Sequence, residues 1–263
     1  MPRPLRVQSP SVLLLLSIMG AGAAEPVAGH PHVLVYTRNY TPDGKGYVHD
    51  NIANSVTALR QLGDANGFAV TASDDPTVFT DDQLGAYRAL IFANANNQAF
   101  TSEDQRQALV RYIHKGGGFV GIHIACGVER DWPWYWGLVG GKFIKHPPFG
   151  PITITVRDRS HPSTAHLGET WQRQDEFYII GNLNPDIHVL LTADLALSTD
   201  PAMALKYPLF GDHVPLAWCH VYEGGRSWYT ALGHDKESYL TDEKFRAHLV
   251  GGIRWVLGEG AVP

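Results

Sequence analysis

The chain has 263 residues, 44% of them hydrophobic, and this length and composition suit one substantial core rather than several domains. Its formal net charge of −5, without clusters of lysine or arginine, argues against nucleic acid as a partner. The only two cysteines, Cys126 and Cys219, both lie beside predicted strands rather than in loops that need crosslinking, so we expect no disulfide bond between them.

The first 24 residues have the order of segments that is typical of a secretory signal peptide. Arg3 and Arg6 precede an apolar run at 12–19, and the small residues Ala21 and Ala23 form an A-x-A cleavage pair. The alternative is a membrane anchor, but the run is well short of the roughly 20 residues that a spanning helix needs. We therefore expect an exported protein with no membrane span after cleavage, periplasmic if the source is Gram-negative.

From residue 32 onward, short apolar runs alternate with amphipathic stretches, which is the pattern of a parallel sheet covered by helices on both faces. The predicted strands lie at 32–37, 68–72, 89–93, 119–122, 152–156, 188–191, 216–219 and 227–231. The predicted helices lie at 51–65, at 81–87 with Thr80 as N-cap, from 101–104 to the glycines at 116–118, and at 242–257.

We divide the chain into a signal peptide at 1–24, a short segment at 25–31, one domain at 32–258 and a tail at 259–263. For the domain we predict an α/β fold with three layers and a doubly wound, mostly parallel sheet of the flavodoxin-like kind. In its second half, loops rather than helices join the predicted strands.

Polar residues follow several of the predicted strands, and ligands bind at the carboxyl ends of strands in doubly wound sheets. His49 follows the first strand after a loop, Asn94 follows the third, His123 the fourth and His234 the last. Because these strand ends are predicted to share one edge of the sheet, we expect a site there.

The segment 121–125 reads Gly-Ile-His-Ile-Ala between a strand and a helix, the outline of a nucleophile elbow. Its central residue is His123, whereas acyl transfer needs Ser or Cys there, and a neutral imidazole is suited to bind a metal or move a proton. The alternatives are a buried imidazole that bonds backbone, or a cysteine hydrolase that uses Cys126, three residues past the apex.

Several segments together resemble the ThuA-like family, named for trehalose utilisation and part of the class I glutamine amidotransferase-like superfold. They are GGFVGIH at 117–123, DWPWY at 131–135, HP at 146–147, DEFY at 175–178, AWCH at 217–220 and ALGH at 231–234. The resemblance implies a sugar-derived substrate, and a keto-disaccharide is the natural candidate, because such proteins accompany sugar dehydrogenases that make 3-keto-glycosides.

In relatives of this superfold that use a cysteine nucleophile, a His and a Glu complete a triad, and His234 with Glu237 resembles that pair. Since the nucleophile is missing, no glutaminase activity is expected. This chain also has Val48 where ThuA-like relatives usually have Arg before the first-loop histidine, which puts an anion or hydroxyl contact there in doubt.

Histidines and a carboxylate from separate loops form a chemically sensible set for a divalent ion, with zinc as the candidate. The predicted metal ligands are His49, His123, His146 and His234. The predicted catalytic groups are His123, His234, Glu176 and Glu237. The alternatives are a capping role for His49, an exposed His146 and a solvated loop at Glu176.

The predicted substrate-binding residues are Trp132, Trp134, Tyr135, Asn94 and Asp175. Aromatic rings of this kind stack on the apolar faces of sugars, although they also serve as core packing. The leading hypothesis is an enzyme acting on a disaccharide, a glycoside or its 3-keto derivative. The rival is a non-catalytic carbohydrate-binding or accessory protein, and the sequence is compatible with a homo-oligomer.

Overall fold

The computed structural model describes residues 29–194 and 213–263, so the predicted signal peptide lies outside the described residues. The described strands β1 to β13 are, in chain order, His32–Tyr36, Asn39–Tyr40, Ala69–Ser73, Ala89–Ala93, Asn96–Asn97, Gly118–Ile122, Lys142–Lys145, Gly150–Val156, Thr170–Asp175, Ile179–Gly181, His188–Asp194, His213–Tyr222 and Gly225–Thr230. The described helices α1 to α6 are Ile52–Asn66, Asp81–Leu84, Glu103–His114, Pro133–Val139, Ser238–Thr241 and Glu243–Val256.

Nine strands form the central sheet, in the order β3-β1-β4-β6-β13-β12-β11-β8-β9. The four pairs from β3 to β13 are parallel, and the four pairs from β13 to β9 are antiparallel. Seven of these nine strands therefore point in the same direction, and only β8 and β12 are reversed. The mostly parallel α/β sheet is confirmed, with an antiparallel half where loops rather than crossover helices connect the strands.

Two apolar cores, one on each face of the sheet, make the fold three-layered. On one face α1 and α6 contribute Leu59 and Ile253 to a core shared with Val35. On the other face α3 and α4 contribute Leu109 and Leu138 to a second core. The sheet is thus covered on both sides, as the near-continuous apolar runs of its parallel strands predict.

The predicted helices are present with small shifts at their ends. Thr80 caps α2 as predicted, because its side chain accepts a hydrogen bond from the backbone N–H of Gln83. This helix ends at Leu84 instead of residue 87, since Gly85 closes the turn. Helix α4 was not predicted; it begins at Pro133, which suits the first turn of a helix. Among the described residues, no helix is long and apolar enough to cross a membrane.

Candidate functional site

The turn after β6 has the strained geometry that the elbow pattern predicts. His123 follows the last residue of β6 and has a φ of 55°, in the left-handed region that non-glycine residues seldom adopt. A Cβ atom at Gly121 would lie 2.9 Å from the ring of Tyr229, so only glycine fits this close approach. A 3₁₀ turn, His123–Gly127, follows in place of the predicted α-helix.

The imidazole of His123 is fully buried and held in one tautomer. Its Nδ1 lies 2.8 Å from the carbonyl oxygen of Ala231, which can only accept, so Nδ1 carries the proton. Its Nε2 therefore presents a lone pair, which accepts a hydrogen bond from the Tyr178 hydroxyl at 2.5 Å. The backbone bond that we weighed as an alternative role is present, and it also aims Nε2 at the neighbouring histidines.

Four residues bring potential ligand atoms together beside this nitrogen. One side-chain nitrogen or oxygen atom from each of His49, His123, Glu176 and His234 lies within 4.8 Å of the other three. The two Nε2 atoms of His49 and His123 are 3.2 Å apart, and His123 Nε2 is 3.8 Å from Glu176 Oε2. Ligands about 2.1 Å from a tetrahedral zinc ion lie about 3.4 Å from one another. This buried group could hold a metal ion.

The contact between His234 and Glu176 also fits this interpretation. His234 Nδ1 lies 3.1 Å from Glu176 Oε2 and has no second partner, and the interaction with Glu176 raises the pKa of His234. A cation between His234 and Glu176 would satisfy both.

Asp175 and Asn94 do not line the cavity but form hydrogen bonds with residues that support it. The Asp175 carboxylate is fully buried and accepts hydrogen bonds from the backbone N–H groups of Gly233 and His234, at 2.9 and 3.0 Å. The Asn94 amide oxygen accepts from Asn51 Nδ2, which also donates to the carbonyl of Gly233. Both residues, predicted to bind substrate, thus fix the backbone that carries His234.

Burial and charge divide the cluster into neutral and charged members. Burial, together with the nearby His234, lowers the pKa of His49 to about 4, and burial also lowers the pKa of His123 well below its ordinary value. Burial alone would raise the pKa of Glu176, but His146 and His234 outweigh it and bring that pKa to about 2. The inner histidines are neutral at pH 7, the form that binds metals, and Glu176 is ionised.

His146 and Glu237 do not join the cluster. His146 Nδ1 lies 3.0 Å from the other carboxylate oxygen of Glu176, Oε1, and 2.9 Å from the carbonyl of Pro147. This nitrogen donates to those oxygens, so it is a partner of Glu176 rather than a ligand in this arrangement. Glu237 is exposed and precedes α5, where its backbone carbonyl accepts from the N–H groups of Leu240 and Thr241.

The aromatic segment that was predicted to bind substrate packs the core instead. Trp132 stacks on Trp134 with ring centres 5.1 Å apart, and Trp134 Nε1 donates to Glu223 at 2.7 Å. Tyr135 is fully buried, with its hydroxyl donating to the carbonyl of Ala125. None of the three lines the cavity at the cluster, because α4 and its N-cap residue, Trp132, pack onto the covered face of the sheet.

A cavity of about 370 Å³ opens onto the cluster. It is lined by Tyr47, His49, Asn96, Ile124, Arg130, Phe143, His146, Glu176, Tyr178 and His234. Tyr47, Phe143 and Tyr178 supply the aromatic wall of this cavity. Tyr178 lies within the DEFY segment that carries the family resemblance, and this was the one available signal for these residues.

The fold and site together define an α/β protein of the glutamine amidotransferase-like class whose elbow presents a histidine in place of a nucleophile. The sequence profile of the ThuA family, described as trehalose utilisation, matches residues 32–256, and the chain belongs to this family. Membership supports a carbohydrate-related role.

Two solved structures show the same fold. A ThuA-like protein from Bacteroides uniformis is 24% identical, with a TM-score of 0.68, over 90% of this chain and 96% of that one. A ThuA-like protein from Parabacteroides merdae is 19% identical, with a TM-score of 0.67, over 89% of this chain and 93% of that one. No functionally curated protein matches the chain significantly.

Proposed function

We propose that this protein is a metal-assisted enzyme, with zinc as the candidate ion, that acts on a disaccharide, a glycoside or its 3-keto derivative. The observation that carries the proposal is the convergence of three histidines and one carboxylate beside a cavity of about 370 Å³. From the signal-like segment at 1–24 we propose export, and a periplasmic location in a Gram-negative source.

The residues of the cluster would divide the work between binding and proton transfer. His49, His123 and His234 would hold the ion, His123 through the Nε2 lone pair that otherwise accepts from the Tyr178 hydroxyl, and Glu176 would lie beside the ion as the base. A bound divalent ion would polarise a sugar carbonyl or hydroxyl oxygen. Glu176 faces the histidines with Oε2 and His146 with Oε1, and its ionised carboxylate would act as the base that accepts a proton from the substrate.

The cavity wall suits a sugar-derived ligand. Tyr47, Phe143 and Tyr178 offer ring faces and edges for the apolar C–H groups of a pyranose, and Asn96 offers an amide for hydroxyl groups. Enolisation of a 3-keto sugar requires a polarised carbonyl and a nearby base. An ion at the cluster together with Glu176 would supply both.

Metal removal tests the proposal directly. We expect the purified mature protein to contain about one zinc ion per chain by elemental analysis, and to turn over 3-keto-trehalose. Chelation should abolish turnover, and zinc should restore it while magnesium should not, because three imidazole nitrogens favour zinc. A protein with neither metal nor turnover that still binds sugar would contradict the enzyme hypothesis and support a carbohydrate-binding protein.

Cys126→Ala is expected to leave turnover unchanged, because this thiol cannot serve as a nucleophile. Cys126 and Cys219 are both buried and free, and burial raises the pKa of Cys126 to about 12. The Cys126 sulfur accepts a hydrogen bond from the Tyr229 hydroxyl instead of facing the cavity. Steady-state kinetics on 3-keto-trehalose check this, and loss of activity in Cys126→Ala with an intact fold would indicate a cysteine hydrolase.

A further inference from the structure

A guanidinium group lies on the wall of the cavity, a few residues past the elbow turn. Arg130 Nε donates to the carbonyl of Gly127 at 3.3 Å, and Nη2 donates to Asn96 Oδ1 at 3.4 Å. The guanidinium carbon lies 5.4 Å from the centre of the Phe143 ring. These contacts orient the group while using two of its five N–H donors, so the remaining donors are available to a ligand.

This positive charge has no counter-charge in the described part of the chain, where no carboxylate oxygen lies within 4.0 Å of an Arg130 nitrogen. The adjacent Glu129 is paired with Arg106 and accepts from the backbone N–H groups of Ala99 and Phe100. Glu176, the single carboxylate of the cavity wall, faces the histidines. Because a guanidinium is always protonated in proteins, the cavity carries a permanent charge that its own residues leave unmatched.

We propose that Arg130 binds an oxyanion of the ligand, so that a sugar derivative with a carboxylate or a phosphate group binds this cavity more tightly than its neutral counterpart. The planar fork of the guanidinium matches either group with two parallel hydrogen bonds. Asn96 and Phe143 hold that fork at the cavity wall, on the side of the elbow turn. The inference takes from the proposed function only that the ligand is a sugar, and it does not require the metal.

Calorimetric titration of the mature protein with glucose, glucuronate and glucose 6-phosphate tests the proposal. At low ionic strength we expect at least one of the two anionic sugars to bind about tenfold more tightly than glucose, and added salt to reduce this preference. Preference for glucuronate would identify a carboxylate ligand, and preference for glucose 6-phosphate a phosphate. Equal affinity for all three sugars, or no binding of either anion, would overturn the proposal.

Substitutions test whether Arg130 causes the preference for anionic sugars. Arg130→Gln should remove the roughly tenfold preference, whereas Arg130→Lys should retain part of it because the charge remains without the fork. Arg159→Gln, at an exposed arginine outside the cavity, is the matched control and should behave as the native protein. An anion preference that survives in Arg130→Gln would also overturn the proposal.

Zinc content measured on the same samples separates this inference from the proposed function. Arg130 is not one of the four candidate ligands, so its variants should keep the zinc content of the native protein. Normal zinc and turnover without anion preference would refute the role of Arg130 alone. Anion preference in a protein that has neither zinc nor turnover would refute the proposed enzyme and leave the role of Arg130 in place.

Discussion

His123→Asn is expected to weaken zinc binding by more than about 100-fold and to reduce turnover of 3-keto-trehalose below detection, because the imidazole at the centre of the cluster is lost. Asparagine is the informative substitution, since it tolerates the left-handed φ of 55° better than most residues. The fold should therefore survive, and circular dichroism with urea unfolding checks that it does. Zinc affinity is measured by competition with a chromogenic chelator.

His220→Asn is the matched control for this variant. His220 is also a buried histidine whose ring contacts a backbone carbonyl, that of Gly137 at 3.0 Å, but it lies outside the cluster and the cavity. Its variant should bind zinc as tightly as the native protein. His234→Ala, at a partly exposed ligand, should reproduce the loss seen in His123→Asn. Native zinc affinity in both cluster variants would rule out the metal site.

The strand ends could be predicted to meet because the geometry of a parallel sheet is regular. β1, β4, β6 and β13 are neighbours and point the same way, so residues that follow them share one edge. His49, His123 and His234 come from such positions, and the sequence alone places them near one another. The turn at His123 was also predictable, because small residues flank it at 121 and 125.

Glu176 could be predicted as a functional residue, but its position beside the histidines could not, because that position depends on how the strands of the antiparallel half of the sheet pair. It directly follows β9, the edge strand, whose last residue, Asp175, accepts hydrogen bonds from the backbone N–H groups of Gly233 and His234. The order of β8, β9, β11 and β12 follows from loop connections and side-chain packing, which leave no periodic signal. The sequence showed that loops join these strands and could not show which strands pair.

The sequence did not locate the aromatic wall of the cavity, because local density of aromatic residues does not distinguish a pocket from a core. Trp132 and Trp134 stack on one another and against the covered face, where burial of ring area stabilises the fold. Tyr47, by contrast, stands in a polar loop without other aromatic neighbours in sequence, and yet lines the cavity with 64% of its surface exposed. Only the path of the loop that carries Tyr47 shows that this residue reaches the cavity.

Asp175→Ala is expected to lower the free energy of unfolding by about 3–5 kcal/mol, because it leaves a buried guanidinium without its closest partner. Arg173 Nη2 lies 2.8 Å from Asp175, and both side chains are almost inaccessible to solvent. Three backbone N–H groups, those of Glu176, Gly233 and His234, would lose their acceptor as well. Urea unfolding at pH 7 measures the change.

The same substitution should weaken zinc binding, because the backbone segment that carries His234 would lose two of its hydrogen bonds while every ligand is retained. Asp175→Asn keeps the shape of the side chain, removes the negative charge and should show both effects to a smaller degree. Asp81→Ala is the control, since Asp81 pairs with Arg111 at the surface, where solvent screens the interaction. If Asp175→Ala unfolds like the native protein and binds zinc with native affinity, the carboxylate does not organise the site. A loss of both stability and zinc affinity in Asp175→Ala, absent in Asp81→Ala, would show that the ion pair behind the cluster positions His234 for binding.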